Sequence, residues 1–493
     1  MDQRSDSENL SPFISDRVLV NGKVVPLTFT RDGKLRWNHN DRRCLNVEKE
    51  ALGFTFEGSR IRVNVVVEKR DRILCFANMG GIGRQSFVFE PLSEESLTLW
   101  SQKLRDYIDS LGRPKRLLIF VNPFGGKKCA TKIFVEDVRP CLEDADIQFT
   151  VIETKHQLHA KEVVKTLDLS KYDGIVCVSG DGILVEVING LLEREDWSDA
   201  IKMPIGMVPA GTGNGMVKSL LDSAGEICSP SNAILAVIRV LLTGHTRSLD
   251  VATISQGKTR FFSVLMLAWG LIADIDIESE KYRWMGSARI DFYALQRITY
   301  LRHYNGRVSF VPAPGFEEYG EQTSYSGEPS CETSTSQQES LNIQQPGYLG
   351  SDVKLENMHW RTISGPFVSI WLHNVPWGSE DVLAAPNAMF SDGYLDLIIV
   401  KDIPKLSLLS LLSKMNDGSH VHCPHVMYLK VKAFVLEPGA RIDDPTKEGI
   451  IDSDGELLAR GNVTYKGNVK CYMAYDKLQI TVDQGLATLF APV

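Results

Sequence analysis

A chain of 493 residues, 43% apolar and 24% charged, is long enough for two to four globular domains at ~100–200 residues each and too apolar to be a disordered polymer. Its 62 acidic and 54 basic residues give a net charge of −8, which excludes a general nucleic-acid coat, because such a surface must be positive. The nine cysteines are scattered without a C-x-x-C pair, so neither a disulfide framework nor a zinc ribbon is indicated. The polar start Met1-Asp2-Gln3-Arg4 holds no apolar signal core. The longest apolar run, residues 261–273, falls short of the ~20 residues of a spanning helix. These features predict a cytoplasmic protein with no nucleic-acid partner and no transmembrane segment, which reaches membranes only peripherally.

Residues 13–90 read as short strands. Asn21-Gly22 and Asp32-Gly33 each separate two apolar stretches and suit tight hairpin turns, since glycine accepts positive φ. Leu97, Trp100, Leu104, Ile108 and Leu111 then recur at helical spacing behind Ser93, a candidate N-cap. Several strands closed by one tryptophan-bearing helix resemble a pleckstrin-homology-like barrel; an all-β cap packed on the next domain fits the same pattern. This β-rich region spans residues 1–112.

From 113 to 248 strands and helices alternate. Apolar runs at 117–121, 149–152, 174–178 and 205–208 are each followed by a helical pattern, and Pro140 is expected to kink the first of these helices. Such alternation implies a parallel α/β sheet, whose ligands lie at the carboxyl ends of its strands. Residues 249–493 are mostly strands, one of them read at 261–268 and one at 468–472, and predict a largely antiparallel β-sandwich. They are interrupted at 313–358, rich in Gly, Ser, Pro, Gln and Glu, where eight acidic residues face one lysine, Lys354; a disordered insertion is expected there.

Three glycine-rich turns follow strands in the α/β half. Asn122-Pro123-Phe124-Gly125-Gly126-Lys127-Lys128 places two adjacent glycines and positive charge before a helix N-terminus, which favours an anion. Ser179-Gly180-Asp181-Gly182 leaves a carboxylate unobstructed between two glycines, and Glu186 follows in the first turn of the next helix. Gly190, inside that helix, costs ~1 kcal/mol relative to Ala, which points to close packing or to a ligand lying against it. Pro209-Ala210-Gly211-Thr212-Gly213-Asn214-Gly215 is G-x-G-x-G rather than the dinucleotide fingerprint. Each turn alone fits an ordinary strand-to-helix connection; three on one edge of a parallel sheet point to a phosphate-bearing ligand. Gly257-Lys258-Thr259 mimics the end of a P-loop, but Ala252 stands where the pattern needs glycine, so a hairpin turn is expected. His420, His422, Cys423 and His425 lie in a loop pattern without a second ligand cluster, and no metal site is expected there.

Taken together, Asn122-Pro123-x-Gly125-Gly126, Ser179-Gly180-Asp181-Gly182 and Gly211-Thr212-Gly213-Asn214 resemble the lipid kinases that include diacylglycerol, ceramide and sphingosine kinases. The segment from Ala268 to Arg283 is similar to one particular to sphingosine kinases. The N-terminal strands and the acidic insertion look most like the plant sphingoid long-chain base kinases. The resemblance covers residues 115–310 and 365–490.

It implies ATP-dependent phosphorylation of the primary hydroxyl of sphingoid long-chain bases, with ATP and Mg²⁺ as cofactors and a sphingoid base lipid as partner. At matching positions it implies that Asp181 accepts the proton of the attacking hydroxyl. Asn122, Pro123, Phe124, Thr154, Gly180, Glu186, Gly211, Thr212 and Gly213 would bind the nucleotide, with Arg283 and Arg289 on its phosphates. Asp276 would pair with the substrate ammonium, with Ser179 and Gly182 also on the substrate. Asp454-Gly455-Glu456 would reach the nucleotide, with Asp454 beside Mg²⁺. A structural salt bridge from Asp276 to Arg283 or Arg289 competes with the ammonium role. Lys128 departs from the family, many of whose members have glycine there. Trp269, Leu271, Trp284 and residues 406–412 can line an acyl-chain tunnel or form plain core. The alternatives are a ceramide or diacylglycerol kinase, and a non-catalytic nucleotide-binding membrane scaffold.

Overall fold

The structure, a computed structural model, describes residues 12–37, 44–68, 82–126, 128–226, 230–286, 288–324, 347–351, 354–461 and 471–492. The N-terminal strands form a seven-stranded antiparallel sheet. Its first strand, Pro12–Val20, pairs with the second across the Asn21-Gly22 turn and with the seventh, Ile82–Pro91. The helix Glu94–Ser110 closes this sheet, with Ser93 Oγ accepting from the Ser96 amide at 3.1 Å and Trp100 and Leu104 buried beneath it. This is the β-rich sheet closed by one tryptophan-bearing helix that the residue pattern predicts. The sheet is docked on its neighbour: Arg113 donates to the carbonyls of Leu52 at 2.6 Å and Ala51 at 2.9 Å, and Arg84 pairs with Asp144 at 3.1 Å.

The α/β part holds four parallel strands, β1 (Arg116–Val121), β2 (Gln148–Glu153), β3 (Gly174–Ser179) and β4 (Ile205–Pro209), in the order β2-β1-β3-β4. Leu117 to Val121 and Ile175 to Val178 are buried throughout, as strands covered by helices on both faces must be. The helices that matter for the site are α1 (His159–Thr166), α2 (Asp181–Leu192) and α3 (Gly215–Ser223). Pro140 stands in the first turn of the helix Arg139–Asp144, directly behind a π-helical turn, Phe134–Val138. Proline has no amide to donate to the preceding turn, and the wider turn absorbs the missing bond.

The antiparallel part is built on β5 (Thr246–Gln256), β6 (Met266–Gly270), β7 (Ser369–His373), β8 (Leu395–Val400), β9 (Val426–Arg441), β10 (Ile450–Ser453), β11 (Glu456–Arg460) and β12 (Leu478–Phe490). The strand path runs β11-β10-β6-β7-β8-β9-β12-β4-β3-β1-β2, so one continuous sheet crosses both halves. The junction is β12, which the hydropathy pattern does not single out. It pairs antiparallel with β5 and β9 and meets β4 in parallel at Ile205–Leu489. Its alternation breaks at Gly485, at φ 62°, where the register with β5 slips and Asp250 accepts from the Gly485 amide at 2.6 Å.

Two expectations are corrected. The strand expected over 261–268 is two strands, Thr259–Ser263 and β6, because the Asp454 carboxylate takes up the amides between them. The flanks of the 313–358 stretch are ordered: Glu321–Thr323 pairs with Trp360–Ser364, and Tyr348 donates its amide to the Leu192 carbonyl at 2.7 Å and packs on Trp197 at 4.5 Å. The centre of that stretch, 325–346, lies outside the described residues, as does most of the strand expected at 468–472. Gly257-Lys258 forms the expected hairpin turn, with Gln256 opposite Thr259.

Candidate active site

The three glycine turns meet at the carboxyl ends of β1, β3 and β4. A Cβ on Gly211 would sit 2.3 Å from the Gly180 Cα, and one on Gly126 would sit 2.8 Å from the Gly211 carbonyl carbon. The main chains touch where no side chain fits. The first turn is shaped by Asn122, whose Oδ1 accepts from the Phe124 amide at 3.0 Å and the Gly125 amide at 3.2 Å. Lys128 takes φ 54°, the left-handed conformation in which glycine is cheapest. The departure from the family pattern therefore keeps the turn and adds strain. In the third turn Asn214 is left-handed too, and its side chain clasps Gly211 on both main-chain groups, at 2.9 and 3.2 Å.

A cleft of about 1720 Å³ opens at this junction. That exceeds the ~300–1,000 Å³ of single-ligand pockets, leaving room for a nucleotide and a lipid. Of the expected site residues, all but Pro123, Ser179 and Arg283 line it. Ser179 is buried, its hydroxyl donating to the Gly180 carbonyl at 2.7 Å. The Arg283 side chain lies outside the described residues.

Asp181 begins α2, and its carboxylate accepts from the Gly215 amide at 2.8 Å and the Met216 amide at 3.1 Å at the start of α3. Burial pushes this carboxyl up to about 6; the amide bonds restrain the rise, and the charge of Glu380 adds to it. Glu186 lines the cleft as expected and has a structural task besides. Its carboxylate accepts from the Leu158 amide at 2.9 Å and the Ala160 amide at 3.1 Å, capping α1 and fixing the turn that presents Thr154. Gly190 is explained by packing: a Cβ there would meet the Lys161 carbonyl oxygen at 2.8 Å.

Asp454 and Gly455, both at positive φ, make the two-residue turn of the β10–β11 hairpin. The Asp454 carboxylate accepts from Ser263 Oγ and from the amides of Val264, Leu265 and Met266, at 2.8 to 3.2 Å. It is anchored chiefly through Oδ1, which takes three of these donors, while Oδ2 takes one and the residue still lines the cleft. Among the described residues no group of three or more metal-ligating side chains occurs. Glu456 remains turned to the cleft, held by Gln157 Nε2 at 2.5 Å, and burial pushes its carboxyl up to about 7.

The opposite wall is the helix α4 (Leu271–Ser279), followed by α5 (Ala288–Thr299). The buried salt bridge on α4 belongs to Asp274, which pairs with Arg302 at 3.0 Å and accepts from Tyr304 Oη at 2.7 Å. Arg289 pairs with Glu280 at 2.5 Å, and its charge also acts on Asp276. Asp276 lines the cleft, and burial pushes its carboxyl up. Beside it, Ile272, Trp371, Leu412 and Met415 line both the cleft and an adjoining apolar pocket that also takes in Leu271, Leu408 and Leu411. Trp269 is core, bonded through Nε1 to Tyr475 Oη at 2.8 Å, and Trp284 points to solvent.

Sequence reasoning missed Glu380, Gln157 and Asp452. Asp452 left a signal, as a charged residue inside the apolar run Ile450-Ile451-Asp452, and it is fully buried facing Asp276. Nothing local to Glu380 says that it crosses to Gly213.

Residues 116–254 match the family model of the diacylglycerol kinase catalytic domain, and residues 360–471 that of the YegS C-terminal NAD kinase beta sandwich-like domain. With the glycine junction around Asp181, this makes the molecule a lipid kinase. It is 64% identical to Sphingosine kinase 1 of Arabidopsis thaliana over 99% of both chains and 62% identical to Sphingosine kinase 2 of the same plant over 97% of both. It is 36% identical to human Sphingosine kinase 1, over 71% of this chain and 87% of that one. The chain belongs to the sphingosine kinase family.

Proposed function

We propose that this protein transfers the γ-phosphoryl group of ATP to the primary hydroxyl of a sphingoid long-chain base, working at a membrane surface. The observation that carries this reading is the meeting of three glycine turns at Asp181, across one cleft from Asp276 and the apolar side chains of Ile272, Leu412 and Met415. Phosphoryl transfer asks for placement and charge stabilisation more than covalent help. Main-chain amides at the turns and helix starts supply donors for phosphate oxygens. The hydroxyl oxygen attacks the γ-phosphorus, the bond from that phosphorus to the bridging β-phosphate oxygen breaks, and the hydroxyl proton passes to Asp181. An ordinary Asp, at ~3.9, is a poor acceptor for an alcohol proton. Burial improves it, as does its fixed orientation on two amides.

Asp276 meets the cationic amine of the base, a charge that a diacylglycerol lacks. Magnesium would travel with the nucleotide as part of the substrate and neutralise its phosphate charge, with Asp454 Oδ2, which takes only one amide, beside it in the cleft. Peripheral membrane docking is supported by Trp284, Phe292, Leu295 and Leu406, exposed apolar side chains around α5 and α6 (Lys405–Ser413) at the rim of the cleft. Among the described residues no helix is long and apolar enough to cross a membrane.

A lipid panel with γ-labelled ATP tests the reading. Sphinganine and phytosphingosine are expected to take the label, and equal labelling of diacylglycerol would overturn the proposal. Asp181→Asn is expected to lose ~10²–10⁴-fold in turnover while still binding ATP. Wild-type turnover should fall as pH drops through about 6, because a protonated Asp181 can no longer accept the hydroxyl proton.

A further inference from the structure

We propose that Glu380, supplied by the antiparallel half, is a positioning residue for phosphoryl transfer: it fixes the third glycine turn against Asp181 and so ties the nucleotide grip to the lipid wall. The proposal rests on the kinase reading above and goes beyond it by making the grip depend on a residue outside the α/β half.

Glu380 holds the turn at two points. Its carboxylate accepts from Asn214 Nδ2 at 2.6 Å, and its amide donates to the Gly213 carbonyl at 2.8 Å. Asn214 is the residue whose side chain clasps Gly211, so one carboxylate governs the whole bend from Gly211 to Asn214. A left-handed asparagine stores strain, and it persists only where its surroundings hold it. The next two amides, of Gly215 and Met216, are the donors that orient Asp181.

The segment leading to Glu380 is itself anchored along α3. The Trp377 amide donates to Ser219 Oγ at 3.0 Å, and Trp377 Nε1 donates to Asp222 Oδ2 at 3.0 Å. Gly215 has no space for a side chain, because a Cβ there would sit 2.6 Å from the Trp377 carbonyl oxygen. The same segment continues to Val382 along the wall of the cleft. A lipid pressing on that wall therefore bears on the phosphate turn through Glu380.

The carboxylate does a second thing that a neutral acceptor would not. Glu380 is bonded to Gly213, on which a Cβ would lie 3.7 Å from Asp181 Oδ2, and like charges this close oppose each other's ionisation. The amides of Asp181 itself, Gly215 and Met216 act on the same carboxylate and oppose the effect of Glu380. Glu380 therefore helps to keep Asp181 a competent proton acceptor.

The test uses the full chain with Glu380→Gln and Glu380→Ala, ATP affinity measured without lipid, and turnover on sphinganine across pH. Glu380→Gln keeps an acceptor for Asn214 and removes the charge. It is expected to bind ATP as wild type does, with the acid limb of turnover moved to lower pH. Glu380→Ala is expected to lose about 10-fold or more in ATP affinity, the scale of a charge-assisted hydrogen bond. Wild-type ATP affinity in Glu380→Ala would overturn the proposal, as would a Glu380→Gln variant with an unmoved pH profile. Should Glu380→Ala melt well below wild type, Glu380→Asp replaces it: the charge stays but no longer reaches Asn214, so affinity should fall while the acid limb holds. A wild type that binds ATP yet phosphorylates no base sinks the kinase reading, and the affinity arm still judges the clamp.

Discussion

The two walls of the cleft are made of different material. The nucleotide wall is main chain: three turns pressed together, with Gly126, Gly180 and Gly211 in contact. The lipid wall is side chain: Asp276 on α4, then Ile272, Leu412 and Met415 around an apolar pocket. A main-chain grip tolerates almost any neighbour but no added methyl. A side-chain receptor tolerates small shifts but depends on the chemistry of one or two groups. Variants that add bulk should therefore damage the first wall, and variants that remove charge should damage the second.

Between the two walls, the larger effect is expected from Gly211→Ala, which removes no functional group. The new methyl would sit 2.3 Å from the Gly180 Cα and 2.9 Å from the Gly180 amide nitrogen, both main chain, so one turn must move. The specificity constant for ATP should fall ~10²-fold, the penalty of a misplacement of about 1 Å. Overpacking should also cost ~1–3 kcal/mol in an unfolding experiment. A normal ATP constant would mean that the turns do not need to touch, and the comparison would lose its first half.

Asp276→Asn sharpens the second half. It keeps the shape and removes the charge proposed to meet the ammonium. The KM for sphinganine should rise roughly 10-fold or more, the scale of a hydrogen bond to a charged group, with the ATP constant unchanged. A matching loss toward a neutral lipid would show that Asp276 shapes the wall rather than reading the amine.

The same contrast decides what is legible in the sequence. Main-chain grips need glycine at fixed spacings, so the three turns and Asp181 stand out in the residue pattern, as does the parallel sheet under them. Roles that depend on which distant group a side chain meets do not. Glu186 and Asp454 stand at the expected positions, yet the first caps α1 and the second holds the break before β6. Glu380 is invisible in the sequence because its partner, Asn214, is 166 residues away. The strand β12 escapes notice because Gly485 interrupts its alternation, although that strand joins both halves of the sheet.

The smallest effect is expected outside the cleft. Trp284, 82% exposed, and Leu406, 81% exposed, belong to neither wall, and no packing demand explains large apolar side chains there. They flank α5, whose inner residues Ile290 and Ala294 line the cleft, and α6, tied to α5 by Lys405 Nζ donating to the Thr299 carbonyl at 2.7 Å. A lipid leaving a bilayer would pass this rim. Burying one such side chain in a bilayer interface is worth up to ~1.5–3 kcal/mol, while exposing it to water costs the folded protein little. Trp284→Ala with Leu406→Ala should therefore lower turnover on vesicle-embedded sphinganine a few-fold and leave turnover on a soluble short-chain base unchanged. Equal losses on both would place these residues in the cleft's own mechanics and remove the rim as a docking surface.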